Sequence, residues 1–329
     1  MSYTFRILHL SDLHCGVGAR RNWIDTDVRN RRGVGLTEAT WAAIRPTSHS
    51  PALAEAVAEH AFIRRFEHDA ILVTGDLATT GEEIDLREAA ELSLGTPKER
   101  WLTGAMRPTL QGAQLPVIVL PGNHDRFDGP TAVPPFWASG GRNFDAHFED
   151  WRSVSAVAFT LKAPLPQTDA LTVVCGDLTL IEDADADGLW GRLGQGCAYE
   201  TVLARMVELS SKARSFGPTA VLWAVHFPPQ FPGEDAVMRL LNAESLLKKA
   251  TSVGVSHILS GHTHQPLVYK PVKFPTVEVH CAGTACSLSS PTANAFHSRS
   301  FEVTGEVIEN VRYCDFVWND LAEDFVRYN

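Results

Sequence analysis

Five apolar runs in this chain each end on a short cluster of Asp, His or Asn, and this repetition constrains the fold more than any other feature. The runs are Phe5-Arg6-Ile7-Leu8, Ala70-Ile71-Leu72-Val73, Val117-Ile118-Val119-Leu120, Ala220-Val221-Leu222-Trp223 and Ile258-Leu259. Short apolar stretches of this kind, bounded by turn residues, predict strands buried on both faces. The clusters that follow them are Asp12-Leu13-His14, Gly75-Asp76, Gly122-Asn123-His124-Asp125, His226 and Gly261-His262-Thr263-His264. Strand ends on one sheet edge gather residues that are distant in sequence. Asp, His and Asn together suit hard or borderline metal ions. The pattern predicts a two-metal site.

The rest of the chain supports a mixed α/β fold. Strands are predicted near 4–10, 69–74, 116–120, 219–225 and 256–260, with helices near 52–67, 82–94, 199–215 and 243–252. Residues 154–183 read as paired strands, Val154 to Thr160 and Leu171 to Ile181, broken at Gly176-Asp177. The tail from about 266 reads as mostly β, over 266–270, 276–281, 301–307 and 310–318. Alternation first and strands later predicts two sheets with helices on their outer faces. We expect one domain over 1–318, with inserted loops at 16–50 and 126–153, and a C-terminal extension over 319–329. Loops of this length beside a site are commonly lids or substrate walls.

Composition removes several function classes. With 44% apolar residues in 329, the chain can bury a substantial core. A formal charge of −10 argues against a nucleic-acid partner held by its phosphate backbone, which wants a basic face. No apolar stretch approaches the roughly 20 residues of a membrane span, and the first residues show no secretory pattern. Six scattered cysteines do not make a disulfide framework in a chain this long, so reduced thiols and a cytoplasmic location are expected. The strand-rich tail and the segment 319–329 offer surface for a homodimer interface.

Each cluster offers particular chemistry. If the chain stays extended after its strand, the i and i+2 side chains of Asp12 and His14, and of His262 and His264, point the same way and can reach one ion. Asp76 has two carboxylate oxygens and can bridge two ions. Asn123 offers a neutral amide oxygen. His124, with Asp125 next to it, is placed to donate a proton to a leaving oxygen. His226 alone has a structural reading as well as a ligand reading. Gly176-Asp177 repeats the Gly-Asp dipeptide but reads as a hairpin turn. His60 and His68, on the 52–68 helix, read as structural.

The order Asp-x-His, Gly-Asp, Gly-Asn-His-Asp, His, Gly-His-x-His resembles the calcineurin-like metallophosphoesterase superfamily, over about 250 residues from Asp12 to His264. The resemblance implies a four-layer αββα sandwich, in which two mixed β-sheets are flanked by helices. It implies that Asp12, His14 and His264 hold one ion and Asn123, His226 and His262 the other, with Asp76 bridging. It further implies His124 as the acid, oriented by Asp125. The ions would be divalent or trivalent, and the N/O set accepts Mn, Fe, Zn or Co. Two cations on the order of 3.5–4 Å apart clamp the attacking and leaving oxygens of a phosphoryl group, with in-line attack by a bridging hydroxide.

Departures from some branches narrow the resemblance. The Ser/Thr phosphatases carry an Asp-Arg-Gly run where this chain has Asp76-Leu77-Ala78. Purple acid phosphatases carry a Tyr where this chain has Thr79. Thr74-Gly75-Asp76-Leu77, Gly81-Glu82-Glu83 and His226-Phe227-Pro228-Pro229 look like the cyclic-nucleotide phosphodiesterase branch. The expected substrate is therefore a small phosphodiester such as a cyclic nucleotide. The alternatives are a phosphomonoesterase on the same site, a nuclease, or a non-catalytic scaffold.

Overall fold

A computed structural model describes residues 2–16, 50–79, 81, 83–95, 98–99, 106–126, 142–164, 168–179, 194–233, 238–286 and 294–328. Most of the two expected loops, 17–49 and 127–141, lies outside these residues, including Arg20, Arg21, Arg29, Arg31 and Arg32.

The first sheet contains β1 (Tyr3–Leu10), β2 (Ala70–Thr74), β3 (Val117–Leu120), β10 (Ala295–Thr304), β11 (Val307–Asn319) and β12 (Asp324–Tyr328), in the order β12-β11-β10-β1-β2-β3. β1, β2 and β3 are parallel, and β10 to β12 extend the sheet antiparallel from β1. The second sheet contains β4 (Ala156–Lys162), β5 (Ala170–Gly176), β6 (Ala220–Val225), β7 (His257–Ser260), β8 (Leu267–Tyr269) and β9 (Glu278–Cys281), in the order β8-β9-β7-β6-β5-β4. Here β5, β6, β7 and β9 are parallel and the two edge strands antiparallel. Both sheets are mixed, as expected. The segment beyond residue 319 contributes β12 as an edge strand.

Strand periodicity explains the layering. Along β5, Leu171, Val173 and Cys175 face one apolar cluster and Val174 faces another; along β6, Ala220, Leu222 and Ala224 face the first while Val221, Trp223 and Val225 face the second. The first cluster fills the space between the sheets and continues under α1 (Pro51–Ile63) and α2 (Glu83–Leu94). The second lies under α4 (Glu200–Ser215) and α5 (Ala243–Ser252). α3 (Arg142–His147) lies between β3 and β4 in the chain and packs on α2. Buried on both faces, the central strands have no polar side to alternate with, which is why they read as continuous apolar runs. No helix among the described residues is long and apolar enough to cross a membrane.

Two elements differ from expectation for identifiable reasons. The 52–67 helix ends at Ile63 and resumes as a 3-10 turn over Arg65–Glu67. β10 begins at Ala295, six residues before the predicted Phe301, because its buried row includes His297 and Arg299 and so does not look apolar.

Candidate metal centre

The parallel strands β1, β2, β3, β6 and β7 all deliver their C-terminal ends to one side of the sandwich, the usual place for a site in parallel sheets. Past the strands the loops stay zipped together. Asp12 N donates to Gly75 O at 3.0 Å, His14 N to Asp76 O at 2.9 Å, Cys15 N to Leu77 O at 2.7 Å and Gly261 N to His226 O at 3.0 Å. The backbone is not extended there. Asp12, His14, Asp76, His262 and His264 all have positive φ, between 47° and 71°. Left-handed backbone at non-glycine residues costs about 1 kcal/mol or more each and persists where the surroundings over-determine it. The i and i+2 pairs therefore converge through left-handed turns, not through the extended chain the spacing implied.

The glycines of the clusters make this approach possible. A Cβ on Gly122 would run into Asp76, and one on Gly261 into Ser11 Oγ. Thr284 Oγ1 donates to Asp12 O at 2.9 Å and Thr79 Oγ1 to His14 O at 2.6 Å, so both ligand-bearing turns are fastened from behind.

All seven expected ligands come together, in two groups. In one, His14 Nε2 is 3.2 Å from His264 Nε2, and His264 Nε2 is 3.3 Å from Asp12 Oδ1. In the other, His226 Nε2 is 3.1 Å from Asn123 Oδ1 and 3.2 Å from His262 Nδ1. Asp76 Oδ2 stands between the groups, 3.4 Å from His226 Nε2 and 3.9 Å from His14 Nε2. This is the position of a bridging carboxylate.

The donor set fits cations. His226 Nδ1 donates to Thr74 O at 2.7 Å and His262 Nε2 to Met238 O at 3.1 Å, which assigns both tautomers from the carbonyls they face. The remaining nitrogens, His226 Nε2 and His262 Nδ1, then point lone pairs at each other across 3.2 Å. Only a proton or a cation between them makes that contact favourable. Asp12 Oδ1 is buried, and the group that faces it is His264 Nε2 at 3.3 Å, so a cation there would be shared by both.

The charges follow from burial opposed by neighbours. Burial works to raise the Asp12 carboxyl, but His264 and His226 bring it down to about 2. Burial likewise works against ionised Asp76, and His226 and His124 hold it well below the usual carboxylate range. Burial, with His124 beside it, pushes His14 down to about 3; burial with His226 does the same to His262. For His226 burial opposes the proton but the Asp76 and Asp12 carboxylates win, raising it to about 9. His264 is raised by Asp12 against its burial. Each group thus has one imidazole held neutral by burial and one whose hold on a proton neighbouring carboxylates raise.

His124 lies beside the pair, its Nε2 4.0 Å from Asp76 Oδ2 and its backbone N–H donating to Asp76 Oδ1 at 2.9 Å. Asp125 does not orient it, which corrects the sequence expectation. Consecutive residues of the 3-10 turn over His124–Arg126 point apart, and the Asp125 carboxylate accepts from Leu77 N at 3.2 Å, Ala78 N at 2.8 Å and Gly122 N at 2.8 Å. Burial and the Asp76 charge push its carboxyl up to about 7, against those three donors. Asp125 pins the β2 loop to the β3 loop. The orienting group for His124 is Thr79 O, which accepts from Nδ1 at 2.8 Å.

Gly176-Asp177 is also not a hairpin turn; the β4–β5 hairpin closes between Lys162 and Ala170. Asp177 Oδ2 accepts from Arg126 NH2 at 2.8 Å, and Arg126 NH1 donates to Asp145 at 2.7 Å. Sequence reasoning missed this link, although Asp177 follows a strand end just as the ligand clusters do. It also passed over Thr79 as a support and Thr284 altogether; an isolated threonine carries no local signal.

Comparisons with known proteins bear on the family and the fold. A family model described as calcineurin-like phosphoesterase matches residues 5–266. Among solved structures, a dimetal phosphatase from Danio rerio aligns with a TM-score of 0.55 and 15% identity, over 94% of this chain and 98% of that one. The sulfate thiohydrolase SoxB from Thermus thermophilus aligns with a TM-score of 0.50 and 15% identity, over 98% of this chain and 58% of that one. At these identities the likeness speaks to fold alone. No curated protein matches the sequence. With the family matched across most of its length and both sheets in place, the chain belongs to the calcineurin-like phosphoesterases.

Proposed function

We propose that this chain is a binuclear-metal-dependent phosphodiesterase acting on a small diester such as a cyclic nucleotide. One observation carries the reading: seven N and O donors from the ends of five strands converge in two groups that share Asp76. Asp12, His14 and His264 would hold one ion, and Asn123, His226 and His262 the other. Two such cations supply Lewis acidity that activates water and takes up charge on phosphoryl oxygens.

The chain's own residues do the rest. Thr79 O accepts from His124 Nδ1, so a second proton on the ring goes to Nε2, the atom facing Asp76. From there it is delivered to a departing oxygen, and the imidazole is left neutral and still held by Thr79. Thr74 O and Met238 O keep the His226 and His262 rings turned to the centre. Leu77, fully buried, stands where a phosphate-gripping arginine follows the bridging Asp in the Ser/Thr phosphatases. Arg126, the arginine of the His124 turn, is committed to Asp145 and Asp177. A diester carries one negative charge less than a monoester, which suits a site without that arginine.

His124→Ala is expected to keep both metals and lose on the order of 100-fold or more in turnover of a diester with a poor leaving group, with a much smaller loss for a nitrophenyl ester. Equal losses on the two substrates would refute the acid role. A matched diester and monoester pair tests the substrate class, and monoester preference would overturn it.

A further inference from the structure

At the opposite end of β7 from the strand-end centre, three more ligand-type side chains meet. His257 opens β7 and pairs with Glu278 on the parallel strand β9, and His280 lies two residues beyond Glu278. Side chains two apart on a strand share a face, so all three project from the same side of the second sheet. His257 Nδ1 is 3.4 Å from His280 Nε2, which is 3.1 Å from Glu278 Oε1. Donors about 2.0–2.1 Å from a tetrahedral Zn2+ stand roughly 3.3 Å from one another. Two of the three separations match that spacing, and all three ligand atoms lie within 4.8 Å of one another.

The surroundings suit an ion as well. The His280 side chain is fully buried, while Glu278 is 24% exposed, so the group reaches solvent on the Glu278 side. The other Glu278 oxygen, Oε2, is 3.6 Å from Lys270 Nζ, leaving Oε1 to the imidazoles. The group is also separate from the strand-end centre. His257 opens β7 and the His262 turn follows its other end, roughly 10 Å of strand at about 3.3 Å per residue.

We propose that His257, Glu278 and His280 form a second, mononuclear site for a Zn2+-type divalent cation, which braces β7 to β9 beneath the catalytic edge. A hydrogen-bonded His–Glu pair without an ion is the competing account, and the two predict different metal contents.

The test uses Zn2+ on the full chain, by dialysis and elemental analysis, with Asp76→Asn as a background in which the strand-end centre is impaired. Wild type is expected to retain Zn2+ at this site in addition to what the strand-end centre keeps. Glu278→Gln and His257→Gln are each expected to lose about one, together with most of the Zn2+-induced rise in melting temperature specific to that site, while leaving diester hydrolysis unchanged. In the Asp76→Asn background, Co2+ is expected to give tetrahedral absorption bands that vanish on adding Glu278→Gln. Equal Zn2+ contents in wild type and Glu278→Gln, or Co2+ bands that survive Glu278→Gln, would overturn the proposal. Neither result bears on the hydrolase reading, because Asp76 and Glu278 are probed separately.

Discussion

The two halves of the strand-end centre are alike in charge and unlike in support. Each offers two imidazoles, one neutral and one raised by a carboxylate, and each reaches Asp76. In the Asn123–His226–His262 half, both rings are turned by a backbone carbonyl, Thr74 O and Met238 O, and both are buried. In the Asp12–His14–His264 half, the far nitrogen of His14 is buried and has no hydrogen-bond partner among the described residues, and the His264 side chain is 19% exposed. Orienting partners of this kind are worth about 10–100-fold in metal affinity. The difference predicts that a symmetric ligand list hides an unequal pair, with the ion of the Asn123–His226–His262 half held more firmly than the other.

The comparison breaks most completely at the shared residue. Asp76→Asn is expected to empty or weaken both halves and lower hydrolysis by on the order of 10³-fold, measured as initial rate at saturating Mn2+. Retained activity would mean that Asp76 does not bridge. Next in size is the contrast between halves. Titrated with Mn2+, apo His14→Ala is expected to keep one tightly bound ion, while His226→Ala binds its first ion about 10–100-fold more weakly. The reverse order would invert the assignment of firm and exchangeable sites.

The smallest effect is in pH. In the metal-free chain His226 is raised to about 9, so its contribution to stability is fully present below its unfolded value near 6.5 and is lost as pH rises toward 9. A cation needs the neutral ring, so metal uptake must displace that proton across the same window. Affinity at the His226 half is expected to rise by up to about tenfold per pH unit there, with a proton released on binding. Calorimetry in two buffers of different ionisation enthalpy measures the release; no buffer dependence at pH 7.5 would contradict it. His14 and His262, both near 3, release nothing in this range.

Much of this was legible in the sequence because the physics was local. A strand buried on both faces has only apolar residues to show, so β2, β3, β6 and β7 stood out, and the ligands followed directly behind them. Polar burial hid the rest. β10 was read short because His297 and Arg299 occupy its inner row, and Asp177 passed for a turn because its partner Arg126 lies 51 residues away. Asp125 was paired with His124 by adjacency, whereas its carboxylate serves three backbone N–H groups from two loops. Support from backbone atoms, such as Thr79 O and Met238 O, leaves no residue-type signature at all.

Two ions sharing Asp76 are expected to work as a pair. Electron paramagnetic resonance of the Mn2+-loaded protein tests this most directly, because neighbouring Mn2+ ions bridged by a carboxylate couple magnetically. The spectrum of an exchange-coupled pair is expected in active wild type and is expected to disappear in Asp76→Asn. An active wild-type sample showing only isolated Mn2+ ions would contradict the account.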